Sequence, residues 1–138
     1  MKSELSLSAV VTRQPAEFCA FLADLRNTEK LHPLLRGVAL EREEGRTRVW
    51  RCDDRIMGFP LTYFARQTVD EDGLGFVNRT EQSGLTLTNT WRFEAHARGA
   101  RVTERLTFEG AAPIVWFSKK VGGDAHRAIF AAIEREFG

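Results

Sequence analysis

Glu104 sits in the run Val102-Thr103-Glu104-Arg105-Leu106-Thr107-Phe108, whose alternation places it with Val102, Leu106 and Phe108 on the enclosed face of a strand. A carboxylate withdrawn from water needs partners or a ligand. An unmade hydrogen bond there costs roughly 1–3 kcal/mol, and an unpaired charge costs more. Desolvation is expected to raise its pKa, which suits a general acid or base near neutral pH. The same parity gathers Asn89, Asn78, Tyr63, Gln67 and Asp54 on one face with Trp50, Phe76 and Trp91. These polar groups pair with one another, with water at flared strand ends or with an arginine such as Arg48, or else they meet a ligand. His32, immediately before Pro33, either shuttles a proton near a cavity mouth or caps helix carbonyls. The residues that could move protons are therefore Glu104, Tyr63, His32 and Asn89.

Other chemistries find less support. Cys52 shares the enclosed parity, as a small apolar filler or a nucleophile, but no histidine is predictably beside it. Asp53 and Asp54 are adjacent on a strand and point to opposite faces, so they do not share a proton or an ion. His96 lies near a hairpin turn and His126 beside Arg127, neither with the spacing of metal ligands, so no metal site is expected. The chain has no Gly-x-Ser-x-Gly elbow and no Rossmann or Walker glycine pattern. No cofactor is expected.

The elements that would position these residues follow from periodicity. Leu5, Leu7, Ala9 and Val11 alternate as a first strand. Pro15 suits a first helical position, and Phe18, Phe21, Leu22 and Leu25 recur at helical spacing. A second short helix, capped by Asn27 or Thr28, is predicted to run through Leu31 and end before Pro33. From Val38 to Glu109 there is no helical period, only alternating segments broken at Glu44-Gly45, Met57-Gly58, Asp72-Gly73, Ser83-Gly84 and Arg98-Gly99. A loop at Arg98-Gly99 would pair Phe93 with Glu104, Trp91 with Leu106 and Asn89 with Phe108. After Pro113, Ile114, Phe117, Val121, Ala125, Ile129 and Phe137 mark a long closing helix. Gly122-Gly123 inside it predicts either a kink or a bulky neighbour against its backbone.

At 138 residues the chain fits one domain spanning 1–138, and 43% hydrophobic with 28% charged residues is the composition of a globular protein. The 20 basic and 19 acidic residues leave a net charge of +1, so no field attracts nucleic acid through counterion release. Two cysteines are too few for a disulfide framework, and a cytoplasmic location is the expectation. No stretch approaches the roughly 20 apolar residues of a transmembrane helix.

A strand, two short helices, a six-stranded meander and one long helix must solve the problem of covering a curved sheet. In this order the chain resembles the START-like or Bet v 1-like superfamily, including its polyketide cyclase/dehydrase-like members. The residues carrying the likeness are Val10-Val11-Thr12-Arg13-Gln14-Pro15-Ala16-Glu17 with Phe21-Leu22-Ala23-Asp24, then His32-Pro33-Leu34-Leu35, Asn89-Thr90-Trp91-Arg92-Phe93, and the helix after Pro113. The chain departs from two branches: Val121-Gly122-Gly123-Asp124 replaces a Gly-Trp pair, and Arg42-Glu43-Glu44-Gly45-Arg46 is no glycine-rich loop. The resemblance implies an α+β helix-grip fold, a curved antiparallel sheet of about seven strands wrapped around the C-terminal helix. It also implies a cavity between sheet and helix. Trp50, Tyr63, Phe76, Asn78, Asn89, Trp91, Glu104, Leu106, Phe117, Val121 and Ala125 are the expected lining.

The leading expectation is a module that binds a small hydrophobic or amphipathic molecule, such as a lipid, polyketide or aromatic metabolite. The alternative is a polyketide cyclase or dehydratase that uses the polar cavity residues as acid and base. A second alternative is a protein-interaction domain whose interior is filled by its own side chains. The expected partner is a small hydrophobic molecule, with homodimerisation left open.

Overall fold

Met57-Gly58 and Ser83-Gly84 take positive φ at both residues, 52° and 85° in the first pair and 50° and 78° in the second. That is the geometry in which a two-residue loop follows the right-handed twist of its strands. In the computed structural model, which describes residues 1–138, these loops join β3 (Thr47–Ile56) to β4 (Phe59–Val69) and β5 (Gly75–Gln82) to β6 (Leu85–His96). Before them come β1 (Lys2–Val11), the short helices α1 (Pro15–Ala23) and α2 (Leu25–Glu29), and β2 (Leu35–Glu44). After them come β7 (Gly99–Glu109) and α3 (Ala112–Phe137). The seven strands form one antiparallel sheet in the order β1-β7-β6-β5-β4-β3-β2. Two bulges in β2, between Leu35 and Gly37 and between Leu40 and Arg42, sharpen its twist. This is the helix-grip arrangement expected from the sequence.

Local predictions need two corrections. The loop between β6 and β7 is Ala97-Arg98, so Phe93 faces Val102, Trp91 faces Glu104 and Asn89 faces Leu106. The slip is two residues, which preserves the face of every side chain. The second helix starts earlier than expected because Asp24 is its cap, its carboxylate accepting the Arg26 backbone N–H at 3.0 Å. Of the two alternatives at Gly122-Gly123, a kink or a bulky neighbour, the second holds: α3 is an unbroken helix of 26 residues. The bulky neighbour is the Phe108 ring, which a Cβ on Gly122 would meet at an ordinary 3.5 Å, while a Cβ on Gly123 would lie a tight 3.3 Å from Leu5.

Apolar side chains gather in three clusters. The largest joins Phe18 and Leu22 of α1 to Phe76, Trp91 and Phe93 of the sheet and to Ile129, Phe130 and Ile133 of α3. Within it Trp91 stacks on Phe76 at 5.7 Å and on Phe130 at 5.5 Å. Leu25, Leu35, Trp50, Cys52 and Ala65 form a second cluster, and Leu85, Leu106, Phe108 and Val115 a third. The C-terminal half of α3 is thus sealed into the core, while Trp116 and Phe117 near its start remain 64% and 53% exposed. No helix is long and apolar enough to cross a membrane.

A methyl group at position 122 meets only ordinary van der Waals contact, so Gly122→Ala should raise stability by about 0.5–1 kcal/mol through helix propensity. Urea denaturation checks this; a lower midpoint would mean that α3 needs the glycine conformationally.

Candidate functional site

Between the three clusters the concave face of the sheet, α2 and the first half of α3 enclose a cavity of about 500 Å³. Eighteen of its thirty lining residues are hydrophobic, which sets its general character, and among its polar residues Asp54, Thr80 and Asn89 are buried and most others half-buried. Tyr63, Phe76, Asn78, Asn89 and Trp91 line the cavity from the strands, and Phe117, Val121 and Ala125 line it from α3. His32 joins them from the segment after α2.

Three residues expected on the wall lie behind it. Trp50 shares the enclosed face, yet its indole N–H donates to Gln67 Oε1 at 3.1 Å and the Arg26 guanidinium covers its ring at 5.6 Å. Leu106 is wholly buried in the cluster of Leu85, Phe108 and Val115. Glu104 is also fully buried, one layer beneath the cavity. Parity fixes the face of a strand that a side chain occupies, and it says nothing of depth.

Glu104 is satisfied by two wall residues. Asn89 Nδ2 donates to Glu104 Oε2 at 3.0 Å, and His126 Nδ1 lies 2.7 Å from Glu104 Oε1. A carboxylate accepts only, so His126 donates to it from Nδ1–H, and Nε2 has no protein partner. Sequence reasoning set His126 aside because it lacks metal-ligand spacing. A usable signal was the helical row Gly122, His126, Phe130, Ile133, which puts the histidine on an apolar flank of α3.

His32 meets His126 edge to face, with ring centroids 5.6 Å apart. The Leu34 backbone N–H donates to His32 Nδ1 at 3.1 Å, so the neutral ring carries its hydrogen on Nε2. Burial, with His126 and Arg36 nearby, lowers its pKa to about 3. His32 is therefore an uncharged donor at neutral pH rather than a charged helix cap.

On the facing strands, Tyr63 Oη donates to Asp54 Oδ1 at 3.2 Å. Burial raises Asp54 to about 6 against the hydrogen bond from Tyr63, and burial likewise lifts Tyr63 above its ordinary value. Cys52 also lines the cavity, but burial followed by the charge of Asp54 pushes its thiol up to about 12. It is no ready nucleophile. Gln67 is consumed structurally, its amide donating to the Ala23 carbonyl at 2.9 Å. Along β5, Asn78 and Gln82 line the cavity with buried carbonyl oxygens, Oδ1 and Oε1, that have no hydrogen-bond partner.

Two predictions follow from these contacts. Glu104→Leu strands the donors of Asn89 and His126, so it should cost about 1–3 kcal/mol in unfolding free energy; a raised melting temperature would mean that the carboxylate is unpaired. His32 is the second case. Between its unfolded value of 6.5 and about 3, the unfolded chain binds a proton that the folded one refuses. Folded wild type should then lose stability relative to His32→Gln as pH falls through that window, with a slope approaching about 1.4 kcal/mol per pH unit. Asp54, raised from 3.8 to about 6, acts in the opposite sense, so the difference between the two proteins isolates His32. Parallel pH profiles would contradict its burial as a neutral ring.

Residues 2–136 match the family described as "Polyketide cyclase / dehydrase and lipid transport". Among solved structures, the chain is similar to the Zhui aromatase/cyclase from a Streptomyces species, at 14% identity and a TM-score of 0.78 over 98% of this chain and 95% of that one. A START superfamily protein from Mycobacterium smegmatis gives 13% identity and 0.78 over 99% and 96%. The di-domain ARO/CYC StfQ from the steffimycin biosynthetic pathway gives 11% and 0.81, with this chain covering half (50%) of that one and itself covered to 97%. Identities this low speak for the fold alone. No curated protein sequence matches the chain. The family match runs nearly end to end: the chain belongs to the polyketide cyclase/dehydrase and lipid transport family.

Proposed function

We propose that the protein binds a small, mainly apolar molecule with a polar head in the cavity between sheet and α3. The observation that carries this reading is the cavity itself. Its volume of about 500 Å³ falls within the roughly 300–1,000 Å³ of small-molecule sites. Its walls set Trp91, Phe76 and Phe117 against a minority of convergent polar groups. Buried acceptors without partners at Asn78 and Gln82 favour a ligand that also carries a hydroxyl or N–H donor. The lipid, polyketide and aromatic metabolites expected from the sequence all meet that description.

A second reading, chemistry of the cyclase or dehydratase kind on the bound molecule, is favoured by the His126–Glu104 pair and its neighbours His32, Asp54 and Tyr63. The open space between the clusters weighs against the third, an interaction domain with a filled interior.

Native mass spectrometry of freshly purified protein should detect a retained apolar adduct whose mass names the scaffold. Independently, Val121→Trp fills the wall of the cavity and should weaken binding of the fluorescent probe 1-anilinonaphthalene-8-sulfonate about tenfold or more. Equal affinity in a variant that keeps its circular dichroism would place the probe elsewhere and defeat the cavity reading.

A further inference from the structure

Four large apolar side chains stand in water around the open end of the cavity. Phe59 lies opposite Ile56 and shares the strand face of Leu61, two residues that line the cavity, yet it is 74% exposed. Phe117 lines the cavity from α3 and is also exposed, so the two rings mark two lips of its mouth. Met57, 77% exposed at the tip of the same hairpin as Phe59, and Trp116, next to Phe117, extend those lips. The fold gains nothing from leaving these four groups in water. Apolar groups gathered in this way mark a surface that meets another phase or molecule.

The charges around the lips are of one sign. Residues 30–40, 55–61 and 110–123, which supply the hairpin lip, the helix lip and the segment beside them, hold no aspartate or glutamate. The Arg55 backbone N–H donates to the Leu34 carbonyl at 2.9 Å, which brings Arg36 alongside the hairpin. Arg36, Arg55 and Lys119 donate to neutral oxygens only: the Pro33 carbonyl at 2.8 Å, the Gly58 carbonyl at 2.9 Å and the Ser3 hydroxyl at 2.8 Å. None of the three is ion-paired. Lys120, by contrast, is tied to Asp124, and Glu81 beside the β5–β6 tip is tied to Arg79.

We infer that the mouth of the cavity docks on an anionic lipid bilayer, with Met57, Phe59, Trp116 and Phe117 entering the headgroup boundary and Arg36, Arg55 and Lys119 meeting the lipids' negative groups. The apolar side chains project from separate elements around an opening, a shape that a fluid surface covers without having to match it. Trp116 and Lys119, three residues apart, share a face of α3, which sets an interfacial ring beside a cation on a long apolar stem. A second copy of the chain fits less well, because two such rims would bring like charges together. The docking surface goes beyond the cavity reading and is tested apart from it.

Trp50 and Trp91 are buried, so Trp116 is the exposed member of the chain's three tryptophans. Its emission should shift to the blue on vesicles of phosphatidylcholine with about 30% phosphatidylserine, and the protein should float with them in a density gradient. Both effects should weaken on phosphatidylcholine alone, or as salt rises from about 0.1 M to about 0.5 M. Phe59→Ser and Trp116→Gln each remove an apolar contact outside the cavity lining. Vesicle affinity should fall about tenfold or more in each, while 1-anilinonaphthalene-8-sulfonate binds within about twofold of wild type. Arg55→Gln should weaken binding to the anionic vesicles and leave the neutral ones unaffected. Flotation indifferent to the anionic lipid, or undiminished in both folded apolar variants, overturns the membrane surface and leaves the cavity reading standing. Absence of flotation overturns it as well; a dimer in light scattering that Phe59→Ser dissolves would then give the rim to a second copy. Failure of wild type to bind the fluorescent probe would fall on the cavity reading alone.

Discussion

Glu104 is a carboxylate with no access to solvent, and two groups reach it: an amide from β6 and an imidazole from α3. Burying such a charge is tolerable only when its hydrogen bonds are made, so the distance between β7 and the middle of α3 is constrained by this contact. The constraint falls on the part of α3 where apolar packing changes character. Beyond it, Ile129, Phe130 and Ile133 close onto the main cluster; before it, Phe117 and Val121 stand off from the sheet and leave the cavity. Gly123 lets the helix approach Leu5 closely at the same level, so close backbone packing and the histidine that reaches Glu104 coincide in one turn.

The arrangement makes the cavity chemically uneven. Along β5 it presents acceptors that nothing in the protein satisfies; toward α2 and the tip of β3 it presents His32, His126, Asp54 and Tyr63. Burial acts on these groups in opposite directions, holding His32 neutral and raising Asp54 toward neutrality, because desolvation opposes whichever form is charged. The result is a polar end in an apolar vessel, with His32 uncharged and Asp54 brought close to neutral pH.

The face of nearly every cavity residue on the sheet was legible from period-two alternation, since apolar neighbours assign a strand side chain to one side. Depth was not, which is why Trp50, Leu106 and Glu104 read as wall residues. Register was misread at Gly99 for a definite reason. The glycine, with φ of 147°, marks a close approach and not a turn: a Cβ there would sit 2.5 Å from the Val11 carbonyl oxygen. His126 was legible only as a histidine beside an apolar stripe, because its partner lies 22 residues away on another element and no local pattern encodes the rotation of α3 about its axis. The cap of α2 was missed since Asp24 immediately follows α1 and serves both helices' junction.

The tautomers of the two histidines test the account at its centre. Long-range nitrogen–proton correlation spectra of the imidazole rings, recorded on the labelled protein above pH 8, report which nitrogen carries each hydrogen. The structure requires His126 to carry its hydrogen on Nδ1, toward Glu104, and His32 to carry its own on Nε2, leaving Nδ1 to the Leu34 N–H. A His126 ring protonated at Nε2 instead would turn a lone pair toward the buried carboxylate, and the coupling of β7 to α3 described above would be wrong.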